Sequence, residues 1–199
     1  MTDRIVLASG SQIRQTLLRN AGLTFDVNPV KVDEAAIRNA MAADGASPRD
    51  IADALAEHKS RRGSQKDPDA LVIGCDQVLN LNGHGLAKPE TTDDARTQLD
   101  MLNGKTHQLL SAAVIYQRGE PVWRHVGVVR LTMRNATPNY LDDYIARNWD
   151  SIRHSVGGYK LEEEGVRLFH RIDGDYFHVL GIPLLELLEY LTIRGTIPG

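Results

Sequence analysis

A chain of 199 residues, 42% hydrophobic and 25% charged, can bury one sizeable core and has an ordinary globular composition. No stretch approaches the roughly 20 consecutive apolar residues of a bilayer-spanning helix, so no membrane partner is expected. A net charge of −3 argues against a broad cationic face for nucleic acid, while leaving room for a local basic pocket that takes a small anion.

Near the start, the apolar run at residues 5–8 is short and leads into a serine-rich turn, which gives no signal-peptide pattern. The single cysteine, Cys75, excludes an internal disulfide and a zinc site built on paired cysteines. Both readings favour the cytoplasm.

Residues 4–8 read as a buried strand, and residues 12–20 carry Ile13, Leu17 and Leu18 at helical spacing before Gly22 supplies a stop. Phe25 and Val27 alternate with polar neighbours as a second strand, and Val32, Asp33 and Glu34 open a polar connection. Ser47, Pro48 and Asp50 form a capped helix start, with the helix running to about Arg62. The run ALVIGC at 70–75 is apolar on both faces, as a central strand is, and Asp76 is placed at its end.

Asn82-Gly83 signals a two-residue hairpin that returns the chain to Lys88-Pro89. Thr92 is expected to cap a helix over 93–102 that Gly104 ends, and strands follow over about 107–117 and 122–133. Thr137-Pro138 starts another helix through about Arg147, with Leu141, Tyr144 and Ile145 on its apolar face. After the break at Gly157-Gly158, a last strand is expected over 167–172 and a leucine-rich helix over 183–193. No repeat or long linker divides the chain, so residues 1–199 are expected to form a single unit, a mixed sheet flanked by helices.

Chemistry concentrates in a few places. Ser9, Ser11 and Arg14 lie where a strand passes into a helix, where hydroxyls, backbone amides and the helix dipole converge on an anion; Ser11 reads equally as a plain helix cap and Arg14 as a solvated charge. Asp76, at the strand edge where open α/β sheets place ligands, can orient a water or hold a cation, with Glu34 as a second oxygen ligand if the fold brings it near; taken singly, each acid reads equally as a turn or capping residue. Lys59 and Lys88 can neutralise phosphate, or serve as a helix-end charge and a solvated loop charge respectively. Cys75 reads as a small core residue, and His58, His107, His170 and His178 show no metal-ligand spacing.

Five segments in order, LASGSQIRQTLL, VDE at 32–34, GCDQVLNLNGHGLAKP, ARTQLDMLNGKTHQLLSAA and GGYKLEEEGVRLFHRIDGDYFHVLGIPL, resemble the Maf family of nucleotide pyrophosphatases over nearly the whole chain. The resemblance implies an α/β fold with an elongated mixed β-sheet flanked by helices and two lobes around a deep cleft. It implies a nucleoside triphosphate substrate cleaved between its α and β phosphates, with a divalent cation (Mg, Mn or Co) as cofactor. Homodimers are common in that family.

Carried across, Ser9, Ser11 and Arg14 would bind phosphate, Glu34 and Asp76 would serve metal and attacking water, and Lys59 and Lys88 would neutralise charge. Members acting on dTTP and UTP carry a second arginine where this chain has Ile13, Asp-Thr where it has Asp76-Gln77, and Gln-Gly where it has Glu164-Gly165. Those departures resemble the branch acting on 7-methyl-GTP, with Gln77 and Glu164 reading the methylated base, whereas Gly157-Gly158-Tyr159 resembles the dTTP/UTP members. A competing reading is a regulatory binding protein, since the family has been linked to inhibition of septum formation and division arrest.

Overall fold

The computed structural model describes residues 3–199. Its frame is one mixed sheet. Strands β1 (Ile5–Leu7), β2 (Asp26–Val27) and β3 (Leu71–Leu81) form its parallel part, and β4 (His84–Leu86), β5 (Thr106–Gln117), β6 (Glu120–Met133) and β7 (Phe169–Asp173) add antiparallel partners. The order across the sheet is β2-β1-β3-β5-β6-β7, with β4 folded back onto the far end of β3.

The helices are α1 (Gln12–Asn20), α2 (Glu34–Ala43), α3 (Pro48–Ser64), α4 (Thr92–Leu102), α5 (Pro138–Ile152), α6 (Tyr176–Val179) and α7 (Leu184–Ile193). Helix α3 starts on a full capping box between Ser47 and Asp50, as expected. The box for α4 is built by Thr91 with Asp94, one residue before the expected Thr92. Asn82 and Gly83 both adopt positive φ, 52° and 90°, which closes the β3-β4 hairpin in its expected place.

Two expectations need correction. The polar segment opened by Asp33 and Glu34 is a helix start: Asp33 accepts from the Ala36 amide, and α2 follows with no buried residue, so its hydrophobic pattern was too thin to announce it. Asp76 is not at the end of a strand either. Strand β3 runs through to Leu81 because β5 pairs with it continuously from Val72 to Asn80.

What ends near Asp76 is β1. Its ladder with β3 stops at Ile73, and β4 takes up the same side only from Leu79, so the middle of β3 has a gap beside it. Alternation along β3 sends Gly74, Asp76 and Val78 toward α3, and Cys75 and Gln77 toward the opposite face.

Apolar packing divides around this gap. One cluster joins Leu7, Leu18, Ile73 and Ile115 to α7, and another joins Leu79, Leu99, Leu131 and Tyr144 around α4 and α5. These are the two lobes, and the cleft lies where they meet. No helix of the described residues is long and apolar enough to cross a membrane.

Candidate active site

A cavity of about 850 Å³ occupies the gap, lined from both lobes. Its floor depends on how closely α3 lies on β3. Gly74 has no side chain to hold them apart: a Cβ there would stand 2.2 Å from the Ala56 carbonyl and 2.5 Å from the Ser60 amide. Ser60 Oγ then donates to the Val72 carbonyl at 2.9 Å. This contact carries the neighbouring Lys59 down to β3, two residues beyond Gly74.

Lys59 Nζ consequently lies 2.7 Å from Asp76 Oδ1 and 2.7 Å from Glu34 Oε1. The lysine and Asp76 are buried, and Glu34, in the first turn of α2, is partly open to the cavity. Burial opposes ionisation of Glu34, but Lys59, with Lys88 and Arg38 behind it, outweighs that and holds the carboxyl below its ordinary value. Asp76 Oδ2 is buried with no hydrogen-bond partner among the described residues. An orphaned carboxylate oxygen beside a polar cavity is costly to keep unless something binds it.

The start of α1 forms the adjoining wall. Ser11 is the N-cap residue, but its side chain makes no capping bond, so the first-turn amides have no side-chain acceptor. The hydroxyl of Ser9 accepts from the Ser11 amide at 3.3 Å and from Arg14 Nη1 at 3.2 Å. Arg14 also donates to the Cys75 carbonyl at 3.2 Å, which faces the gap left by β1, and from Nε to the Gly181 carbonyl at 2.7 Å. Its fork is thereby fixed at the cavity edge, and all residues from Ser9 to Arg14 line it.

Of the expected residues, the structure brings Ser9, Ser11, Arg14, Glu34, Lys59, Asp76, Gln77 and Lys88 to one cavity. The two N–H groups of Gln77 Nε2 are shared among three acceptors, Ser111 Oγ and the carbonyls of His178 and Val179, at 2.9 to 3.0 Å, which leaves its carbonyl oxygen as the group available to a ligand.

Glu164 is not in the lining. Its carboxylate accepts from Arg147 at 2.7 Å and from Asn148 at 2.8 Å, and these bonds hold its pKa down at about 2. The structure does not bring it to the cavity with the other expected residues: the 3-10 turn at Glu164–Leu168 faces α5. The acid of that segment that does line the cavity is Glu162, which makes no ion pair among the described residues.

Sequence reasoning missed Arg38, Tyr159 and Lys160 in the lining. Arg38 had a readable signal, since it follows Glu34 by one helical turn.

Comparison with known proteins identifies the family. The sequence model for Maf-like proteins matches residues 4–193. A protein of Ruegeria pomeroyi named nucleoside triphosphate pyrophosphatase is 59% identical over 99% of both chains. One of Roseobacter denitrificans with the same name is 59% identical over 100% of both, and a Mesorhizobium japonicum protein named 7-methyl-GTP pyrophosphatase is 45% identical over 100% of both. With a family match over nearly its full length and relatives this similar, the chain belongs to the Maf family.

Proposed function

We propose that this chain is a nucleoside triphosphate pyrophosphatase that hydrolyses its substrate between the α and β phosphates, and that a 7-methyl-GTP-like nucleotide is the preferred one. The observation that carries the reading is the Glu34-Lys59-Asp76 constellation at the floor of the cleft, with Asp76 Oδ2 unpartnered.

Two carboxylates with oxygen atoms to spare fit a divalent cation such as magnesium, manganese or cobalt, which Glu34 and Asp76 would hold. When bound, the ion supplies charge to phosphate oxygens and acidifies water. The chain's own groups do the rest. The uncapped amides at the start of α1, with Ser9 and Ser11, take a phosphate, and Arg14 adds its fork. Lys59 and Lys88 neutralise the remaining charge, and Asp76 Oδ2 accepts the proton of the attacking water. Phosphoryl transfer rests mainly on such positioning and charge balance, so no covalent nucleophile is required.

For the base, a cationic methylated guanine favours a nearby acid, and the free carboxylate of Glu162 replaces Glu164 in that role, with the carbonyl of Gln77 accepting from an N–H edge. The name of the Mesorhizobium relative supports the same substrate class. The test is a pyrophosphate-release screen over 7-methyl-GTP, GTP, dTTP, UTP and CTP with each of the three cations. Preference for 7-methyl-GTP supports the full reading; preference for dTTP or UTP keeps the activity and overturns the substrate.

A further inference from the structure

Outside the cleft, three metal-ligating side chains from separate elements converge. His125 comes from β6, His178 from α6 and Glu186 from the first turn of α7. Glu186 Oε1 lies 3.5 Å from His125 Nε2, and Oε2 lies 3.1 Å from His178 Nε2. The ligating atoms of all three residues lie within 4.8 Å of one another. Around an ion held at about 2.1 Å, neighbouring tetrahedral ligands stand roughly 3.4 Å apart, so both measured separations already match a coordination edge.

The surroundings hold this geometry. His178 rests directly on Gly127 of β6, where a Cβ would lie 2.2 Å from its ring, so the imidazole occupies a recess that any other residue would fill. His125 is stacked on Trp123, which in turn stacks on Tyr190 of α7, with ring centres 6.4 and 5.6 Å apart. His178 is buried, whereas His125 and Glu186 are partly exposed, which leaves an approach from solvent. A simple hydrogen bond between His178 and Glu186 does not require a second imidazole on the same carboxylate.

We propose that His125, His178 and Glu186 form a second metal site, distinct from the Glu34-Asp76 acids, for a divalent transition ion of the zinc or cobalt class. Two imidazole nitrogens and a carboxylate suit such ions better than magnesium, which favours all-oxygen ligands. The site ties together β6, α6 and α7. The backbone carbonyl of His178 also accepts from Ser111 Oγ at 2.6 Å and from Gln77 at 3.0 Å, so the ion would brace the wall of the cleft that Gln77 and the 179–181 segment form. Its role is structural, since none of the three side chains lines the cavity.

The experiment uses the full-length protein, stripped of metal, in an Asp76→Asn background that weakens the first site. Cobalt(II) is titrated in and followed by visible ligand-field absorption, with thermal melts alongside. The expected result is one equivalent bound with nitrogen-ligand absorption and a Tm raised by several degrees. Both effects should be lost in His125→Ala and in Glu186→Gln, the second of which nearly preserves shape. Absence of stoichiometric binding overturns the proposal, as does binding that survives both substitutions in folded protein.

Discussion

Arg14 donates from Nε to the carbonyl of Gly181 at 2.7 Å, joining the first turn of α1 to the segment after α6 across 167 positions of the chain. The bond aims the guanidinium along the cavity wall while its far nitrogen reaches Ser9 and Cys75. Arg14→Lys keeps the charge but loses the planar fork. It should lower kcat/KM about 10- to 100-fold, with Arg14→Ala at least as severe. Steady-state kinetics on folded variants decide this, and unchanged kcat/KM in Arg14→Ala would remove the residue from the phosphate site.

Gly74 tests how the floor is built. Alanine there must push α3 off β3, because its Cβ would stand 2.2 Å from a backbone carbonyl. Gly74→Ala should cost about 1–3 kcal/mol and, by withdrawing Lys59 from Asp76, lower turnover as well. Gly85→Ala, whose Cβ meets nothing closer than 3.9 Å, is the comparison and should change neither. Chemical denaturation and turnover of the two variants give the answer.

Much of this site was legible because its residues sit at punctuation marks. The Ser47-Pro48 cap announced α3, the helix that carries Lys59, and the apolar run at 5–8 leading into a serine-rich turn announced the mouth of α1. Position along a strand was harder to read. Nothing local to GCDQV says that β3 exchanges one neighbour for a gap while keeping β5 on its other side, so Asp76 looked terminal when it is central. The pairing of Glu164 was hidden for a similar reason, since its partners Arg147 and Asn148 lie on α5, and only folding brings them to it. His178 showed no metal spacing because its companions lie on two other elements.

Glu164 now carries a different expectation. Hydrogen bonds from Arg147 and Asn148 lower its pKa from 4.5 to about 2, so its stabilising contribution is present above pH 4.5 and is lost as pH falls toward 2. The stability difference between the wild type and Glu164→Gln should therefore narrow across that window in denaturant titrations. Activity on all nucleotides should change in parallel. A loss confined to 7-methyl-GTP would return Glu164 to the base site.

His107, buried behind Tyr159 of the cavity wall, predicts a second pH effect. Burial lowers the His107 pKa from 6.5 to about 4, so below pH 6.5 the unfolded chain takes up a proton that the native state refuses, and stability drops as pH falls toward 4. His107 Nε2 bonds Tyr159 Oη at 2.7 Å, while Nδ1 has no partner among the described residues. Tyr159→Phe leaves both nitrogens unpaired and should cost about 1–3 kcal/mol. Equal stability of the variant and wild type at pH 7 would contradict this.

The central claim is that Asp76, paired to Lys59 through Oδ1 and unpartnered at Oδ2, holds the cation and takes the proton of the attacking water. Asp76→Asn removes the charge and the basicity while nearly preserving shape, and it should lower turnover about 10²- to 10⁴-fold. The measurement is pyrophosphate release by wild-type and Asp76→Asn protein at saturating cation and nucleotide, with a thermal melt of each to establish that both are folded. A folded variant with turnover reduced by at least two orders of magnitude is the predicted result, and a folded variant that turns over at the wild-type rate would contradict the mechanism.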